Sequence, residues 1–405
     1  MKVAVIIFTY NRPWHTKQVI DGLKKSIVRP EKLFIFQDGK KADSDDESWN
    51  EVNRVINEVS WCDCEVNVSP INIGLAKSVI KGISVVASQY DCFIVLEDDC
   101  VPHPLFMTYM INALDEYRQD SRVFCINGFS GFDNIDLEVG DTYFSGRISS
   151  WGWGTWSDRW NLFEEDYKLL NRIKKDVDLN AWFNIWGRDL ENYLYGNIDG
   201  RCDSWAVFWA LKVIEKHALC LNPSKSLINN IGTDGSGRHK EQSNVFNNSL
   251  RDENDIRPIS FPNTMDIRDD VIEEARLFFS YTSDIEKMHY YNDVMIRYSE
   301  LLQKGIFLHD LLNKKQIDKI YIWGSGKYFD LLKNDLMTNV EILGIIESNP
   351  NKKEYNGFQV INYKDVKPDV AIFVIPGYDM KRIKSYFSDK ETPFLISFSQ
   401  VFDNI

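Results

Sequence analysis

The 405-residue sequence contains no apolar stretch near the roughly 18 residues that a membrane-crossing helix needs. It also lacks a surplus of positive charge. Lys+Arg number 47 against Asp+Glu 60, for a net charge of −13, which argues against a dedicated nucleic-acid binder, because phosphate backbones are held by net basic surface. Cysteine is sparse and odd in number, at seven. Cys62 and Cys64 form a lone CxC pair with no second pair to complete a zinc site. The other cysteines sit in apolar contexts such as Asp91-Cys92-Phe93-Ile94, a pattern that suits reduced thiols and a cytoplasmic protein. The apolar start Val3–Phe8 is short and has no small-residue cleavage site after it, so no secretory leader is expected. Low-complexity tracts and internal repeats are absent as well. Hydrophobic residues at 44% and charged residues at 26% are ordinary globular values and exclude wholesale disorder. The length predicts more than one domain.

The first ~130 residues alternate strand and helix patterns. Lys2–Tyr10, Lys32–Gln37, Cys64–Val68 and Cys92–Leu96 read as buried strands. Helices are expected from Pro13 to about Lys25, up to about Val59, over Leu75–Gln89 and over Leu105–Tyr117. This alternation predicts an α/β fold, a mostly parallel sheet flanked by helices, with ligands bound outside the carboxyl ends of the strands. Those ends carry Thr9-Tyr10-Asn11, Asp38-Gly39 and Glu97-Asp98-Asp99. A helical connector is expected over residues 266–306, and a second α/β pattern begins near Lys319. The division predicted is therefore 1–265, 266–306 and 307–405, the last a smaller Rossmann-like domain. Its Gly324-Ser325-Gly326 turn follows a strand, and Glu347 lies about 20 residues on, but Phe329 replaces the third glycine of a dinucleotide fingerprint. A structural or assembly role is expected for that segment.

Three adjacent carboxylates, Glu97-Asp98-Asp99, repel one another unless a cation is near, and hard divalent ions select oxygen ligands. A metal there would stabilise a departing diphosphate; an acidic helix cap is the plainer alternative. Trp alternating with Gly in Trp151-Gly152-Trp153-Gly154 suits a site loop in which indole faces stack on sugar rings, with Trp151 and Trp153 as contacts, or else packing under the sheet. Arg147 just before it has the chemistry to neutralise a diphosphate. Lys77 is the kind of residue that meets phosphate, or stays solvated.

The ordered set Phe8-Thr9-Tyr10-Asn11-Arg12-Pro13, Gln37-Asp38-Gly39, Asn72-Ile73-Gly74-Leu75 and Glu97-Asp98-Asp99 resembles nucleotide-sugar-dependent glycosyltransferases of the GT-A fold. The resemblance is to bacterial family 2-type enzymes, with some likeness to N-acetylglucosaminyltransferase I, and it covers roughly residues 1–240. It implies that Thr9, Tyr10 and Arg12 line the base and ribose pocket. It further implies that Asp38 hydrogen-bonds the base, Asp98 holds the ribose or donor sugar, and Asp99 coordinates the metal. The tryptophan–glycine segment is similar to one in galactosyltransferases but lacks the acidic run that follows it there.

In such enzymes the catalytic base stands at the start of a helix beyond the metal motif. Asp203 in Cys202-Asp203-Ser204-Trp205 matches, though a plain cap of a helix Trp205–Glu215 explains it as well. Asp199 and Glu191 are the nearest competitors. The family resemblance also implies a histidine ligand from a late glycine-rich loop, here His239, with Arg238 facing the diphosphate.

The expectation is thus a Mn²⁺- or Mg²⁺-dependent inverting glycosyltransferase. Its donor would be a nucleoside-diphosphate sugar, UDP first among them, and its acceptor a glycan or lipid-linked glycan for a bacterial surface polysaccharide. No nucleic-acid partner and no transmembrane segment are expected; peripheral membrane association and a homo-oligomer stay open. A sugar-nucleotide nucleotidyltransferase is the alternative enzyme, but it needs a glycine- and base-rich loop after the first strand, where Thr9–Pro13 has no glycine. A non-catalytic nucleotide- or glycan-binding protein of the same fold is the other.

Overall fold

The computed structural model describes residues 1–41, 46–132, 140–234, 250–279, 295, 296, 298–324, 327–347, 353–374, 383 and 395–397. The chain divides into two compact units, Met1–Ser280 and Tyr281–Ile405. Among the described residues no helix is long and apolar enough to cross a membrane.

The first unit is built on an eight-stranded mixed sheet. Val3–Thr9 forms β1 and is buried on both faces, as a central parallel strand requires. Pro13 occupies the first helical position of α1 (Pro13–Lys25), where its fixed φ suits the helix and its missing N–H costs nothing; Lys24 and Lys25 offset the dipole at the other end. There follow β2 (Lys32–Gln37), α2 (Asp46–Asn57), β3 (Asp63–Val68), α3 (Leu75–Ala87) and β4 (Cys92–Glu97). Next come β5 (Cys100–Pro102), α4 (Phe106–Glu116), β6 (Val123–Asn127), β7 (Thr142–Ser145) and β8 (Trp153–Trp156). Five helices run from Ser157 to Glu215: α5 (Ser157–Trp160), α6 (Leu169–Lys175), α7 (Val177–Trp186), α8 (Leu190–Ile198) and α9 (Ala206–Glu215). β9 (Leu219–Pro223), β10 (Ile228–Asn230) and α10 (Asp269–Phe279) complete the unit.

The strand order is β3-β2-β1-β4-β8-β6-β9-β7. The first four strands are parallel, and β8 enters antiparallel between β4 and β6. Alternate residues of β1 serve opposite faces. Ala4, Ile6 and Phe8 join a cluster with α3 and the tryptophan-rich helices, while Val5 and Ile7 join one with α1, α2 and α4. Each large side chain buried there contributes roughly 1.5–3 kcal/mol.

Two sequence expectations change. The tryptophan–glycine segment is not a loop over the site: its second half is the central strand β8. Trp153 is fully buried, its ring 5.3 Å from that of Trp205 and 6.2 Å from Phe93, and Gly154 is small because a Cβ there would lie 3.0 Å from the Phe93 carbonyl oxygen. Residues 269–279, read as part of a connector, instead pack into the first unit, with Val271 and Ala275 in its core beside Trp186 and Phe183.

The second unit holds a six-stranded sheet in the order β13-β14-β12-β11-β15-β16, formed by β11 (Lys319–Trp323), β12 (Glu341–Glu347), β13 (Glu354–Tyr355), β14 (Phe358–Asn362), β15 (Ala371–Val374) and β16 (Leu395–Ser397). All neighbours are parallel except β13 with β14. Ile320, Ile322, Phe329, Leu332, Ile345 and Phe373 form its core. Gly324 after β11 has φ +104°, a backbone state open to glycine; Ser325 and Gly326 lie outside the described residues.

Candidate functional site

Strand register creates the site. Phe8 of β1 pairs with Glu97 of β4, so the segment Thr9–Arg12 leaves the sheet beside Asp98-Asp99. Thr9 pairs with Gln37 of β2, which puts Tyr10 beside Asp38. A polar edge assembled from residues far apart in sequence follows from that pairing.

Arg12 is the centre of the acidic end. Its backbone carbonyl starts α1 by accepting from Thr16 N at 2.9 Å, which fixes the main chain and aims the side chain at the acids. Nη2 donates to Asp99 Oδ2 at 2.7 Å and also meets Asp98 Oδ1, while Nε donates to Asp98 Oδ2 at 3.3 Å. Burial works against the guanidinium charge, but Asp98 and Asp99 more than offset it and raise the pKa, so Arg12 stays charged. Burial and the neighbouring carboxylates push the Glu97 carboxyl up to about 8, despite the opposing pull of Arg12. Burial likewise raises Asp98. The Cys100 thiol donates to Asp99 Oδ1 at 3.5 Å. Gly232, just after β10, presses its backbone on the other oxygen: a Cβ there would lie 2.1 Å from Asp99 Oδ2 and 3.1 Å from Arg12 Nη1.

A second group lies at the ends of β1 and β2. Asp38 is nearly fully buried. Its Oδ1 accepts from the amides of Gly39 at 2.9 Å and Ile73 at 3.1 Å, and its Oδ2 accepts from Gly74 N at 3.0 Å. Asp38 thereby ties the end of β2 to the turn that opens α3. Asn72 Nδ2 adds a bond to Gly39 O at 2.7 Å. Asp203 reaches the same turn, where its Oδ2 accepts from Ala76 N at 3.3 Å. Asp203 therefore reaches the start of α3, and the residue at the N-cap of α9, Trp205, makes no side-chain cap bond.

The remaining sequence candidates separate clearly. Thr9 is buried and bonds Thr16 through their hydroxyls at 2.7 Å. Tyr10 is partly exposed; its hydroxyl accepts from Lys41 N at 3.2 Å. Trp151 is half-buried with its ring edge-on to Phe129 at 4.6 Å. Trp153 is core, as described above, and is no ligand contact because no part of it reaches solvent. Arg147 is a strut: it pairs through two nitrogens with Asp189 at 2.8 Å each, donates to Trp186 O at 2.7 Å and lies over the Phe279 ring. With those donors committed inside the fold, it does not meet a diphosphate. Asp199 is paired with Arg201 and Glu191 with Lys174, both at the surface. Lys77 is exposed. Arg238 and His239 lie outside the described residues.

Sequence reasoning missed two contacts. The resemblance puts Arg12 on the base and ribose and gives no sign of its ion pairs with Asp98 and Asp99. Nor does it point to His15, whose Nε2 lies 3.0 Å from Asp234 Oδ2 and links α1 to the turn after β10. An arginine one residue ahead of a helix-opening proline, at the end of a strand beside an acidic strand end, is the signal that would have found the first.

The acidic end fits a divalent ion. Asp98 and Asp99 offer an all-oxygen donor set, and one guanidinium faces these two acids with the Glu97 carboxyl close by. Only a residue without a Cβ fits at Gly232, because Asp99 Oδ2 already fills the place a Cβ would take. Among the described residues no third His, Cys, Asp or Glu joins them to complete a protein-only cage, which suits an ion that takes one or two carboxylates and fills its shell with water and substrate phosphates.

The model of the family described as glycosyl transferase family 2 matches residues 4–208, the stretch that carries all these groups except Gly232 and Asp234. A second model, described as C2185-like, N-terminal, matches residues 316–369 in the second unit. No curated protein matches the chain. Among solved structures, S. aureus TarS (residues 1–349) is similar at 14% identity and TM-score 0.34, over 56% of this chain and 60% of that one. A Pyrobaculum calidifontis mannosyltransferase in complex with GDP-Man and Mn²⁺ is similar at 12% identity and TM-score 0.28, over 42% and 46%. A Mycobacterium tuberculosis glucosyl-3-phosphoglycerate synthase in complex with Mn²⁺, UDP and phosphoglyceric acid is similar at 14% identity and TM-score 0.26, over 40% and 57%. The chain thus spans about half the length of these solved chains.

Proposed function

Because the chain belongs to glycosyl transferase family 2, we propose that it transfers a sugar from a nucleoside-diphosphate donor, UDP-linked by preference, to a hydroxyl of a glycan or lipid-linked glycan acceptor. The observation that carries this reading is the convergence of Arg12, Asp98 and Asp99 at the carboxyl ends of β1 and β4, with Asp38 and Asp203 meeting one turn at the neighbouring strand end.

Thr9 and Tyr10 lead into the nucleoside pocket, with Asp38 fixing its floor. Asp98 faces the ribose or donor sugar, and Trp151 lies at the rim. Mn²⁺ or Mg²⁺, held by Asp99, would supply charge stabilisation to the departing diphosphate. Asp203, partly exposed, takes the proton of the acceptor hydroxyl. The acceptor oxygen bonds to the anomeric carbon as the bond from that carbon to the diphosphate oxygen breaks, and the configuration inverts. Holding the two substrates together provides much of the acceleration. A role in building a bacterial surface polysaccharide fits a glycan acceptor.

The test is to incubate the protein with Mn²⁺ and a panel of UDP-, GDP- and dTDP-sugars and to follow release of nucleoside diphosphate, with and without oligosaccharide acceptors. Release from one donor class, stimulated by an acceptor, is expected. Release of pyrophosphate from sugar phosphate and nucleoside triphosphate would identify a nucleotidyltransferase instead, and no turnover with any donor would overturn the transferase reading.

A further inference from the structure

The guanidinium of Arg12 stands where the proposed cation would stand. Its Nη2 touches Asp98 and lies 2.7 Å from Asp99 Oδ2. That oxygen is the one beside Gly232; the other faces the buried Cys100 thiol. Arg12 therefore holds the Asp99 oxygen that the Cys100 thiol does not. A divalent ion on that oxygen and a guanidinium within hydrogen-bond distance repel strongly in a partly buried site, so the two do not share it without a further anion between them. The main chain of Arg12 is fixed by the start of α1 and by Pro13, so any rearrangement is confined to the side chain.

We propose that Arg12 is a resident cation that links metal binding to nucleotide binding. In the free protein it neutralises Asp98 and Asp99 and opposes the divalent ion. Donor diphosphate supplies a second anion to which the guanidinium transfers, and Asp99 is then released to the metal. Metal alone binds weakly, nucleotide alone binds weakly, and each strengthens the other by the same factor, as linkage requires. The inference rests on the glycosyltransferase reading and adds to it an ordering device encoded in one side chain.

The experiment is a set of calorimetric titrations of Mn²⁺ and of UDP, each with and without the other, on the wild type, Arg12→Met and Arg12→Lys. In the wild type, UDP should tighten Mn²⁺ by about tenfold or more, within the usual span of coupling. Arg12→Met should bind Mn²⁺ alone about tenfold more tightly, bind UDP alone more weakly, and lose most of the coupling. Arg12→Lys keeps the charge but not the fork that spans two carboxylates, so Mn²⁺ alone should tighten part of the way. If Mn²⁺ alone binds Arg12→Met no better than wild type, or if metal-free UDP binding is unchanged, the proposal fails. Tighter Mn²⁺ in Arg12→Met with wild-type behaviour in Arg12→Lys reduces Arg12 to a point charge and also overturns it. Should Arg12→Met not fold, Arg12→Lys and the wild-type coupling still decide the matter. A wild type that binds no UDP even with Mn²⁺ would instead refute the glycosyltransferase reading.

Discussion

Asp203 rests against Gly74: its Oδ2 lies 3.1 Å from where a Cβ at residue 74 would be. Gly74 also donates its N–H to Asp38 Oδ2, so two carboxylates lie against one residue. Its φ of +85° and ψ of 166° belong to a region that essentially only glycine occupies.

Replacing Gly74 by Ala should therefore disturb both carboxylates at once. Strain of about 1–3 kcal/mol is expected at this backbone conformation. Thermal unfolding should shift to lower temperature, and sugar transfer should fall further than the lost stability explains. Wild-type unfolding and turnover in this variant would refute that arrangement.

Asp203→Asn keeps the shape and removes the base. Nucleotide binding measured by calorimetry should persist, while transfer to acceptor falls by about 10²- to 10⁴-fold. Transfer at the wild-type rate would remove Asp203 from the chemistry.

Asp99→Ala should abolish the dependence of nucleotide binding on Mn²⁺. Metal-dependent UDP binding that survives the change would place the ion elsewhere.

Trp151 and Trp153 should respond in opposite ways. Trp153→Ala opens a cavity under β8 and should cost about 3–5 kcal/mol, visible as poor expression or a large loss of thermal stability. Trp151→Ala should leave stability nearly intact and raise the KM for donor. The reverse ranking in unfolding experiments would contradict the packing described.

Much of the first unit was legible because β1, β2 and β4 are unbroken apolar runs with helical periodicity between them, and Pro13 marks where α1 begins. The polar ends of those strands followed from the α/β rule alone. What was not legible depends on register. The Arg12–Asp99 contact exists because Phe8 pairs with Glu97, and nothing in either segment states that pairing. Trp153 misled for a related reason: glycine beside tryptophan signals close backbone approach, and here the approaching partner is Phe93 and not a ligand. Arg147 looked available because its partner Asp189 lies on a separate helical segment.

The second unit carries its own pH response. Asp335 accepts from Tyr298 Oη at 2.6 Å, from the Leu308 and His309 amides, and lies 2.6 Å from His309 Nδ1. Burial alone would raise its carboxyl, but these bonds win and lower it from 3.8. A depressed folded-state value stabilises the fold above the unfolded-state value, and that stability is lost as pH falls through the folded one. The protection of amides over residues 308–324 and 327–336 against hydrogen exchange should therefore fall below the ordinary carboxyl range. Asp335→Asn should flatten that dependence and cost about 1–3 kcal/mol at neutral pH. An unchanged pH profile would sink this assignment.

The insertion of β8 between β4 and β6 bears on synthesis. Until residues 153–156 emerge from the ribosome, β4 presents an open edge that is apolar up to Glu97, and β6 has no neighbour on that side. Such an edge is a template for unwanted pairing with other chains. A nascent chain halted before Gly152 should bind chaperones and aggregate, whereas one halted after Trp160 should do so less. The strand that joins β4 to β6 thus shields one edge of the growing polypeptide, and the other edge of β6 waits for β9.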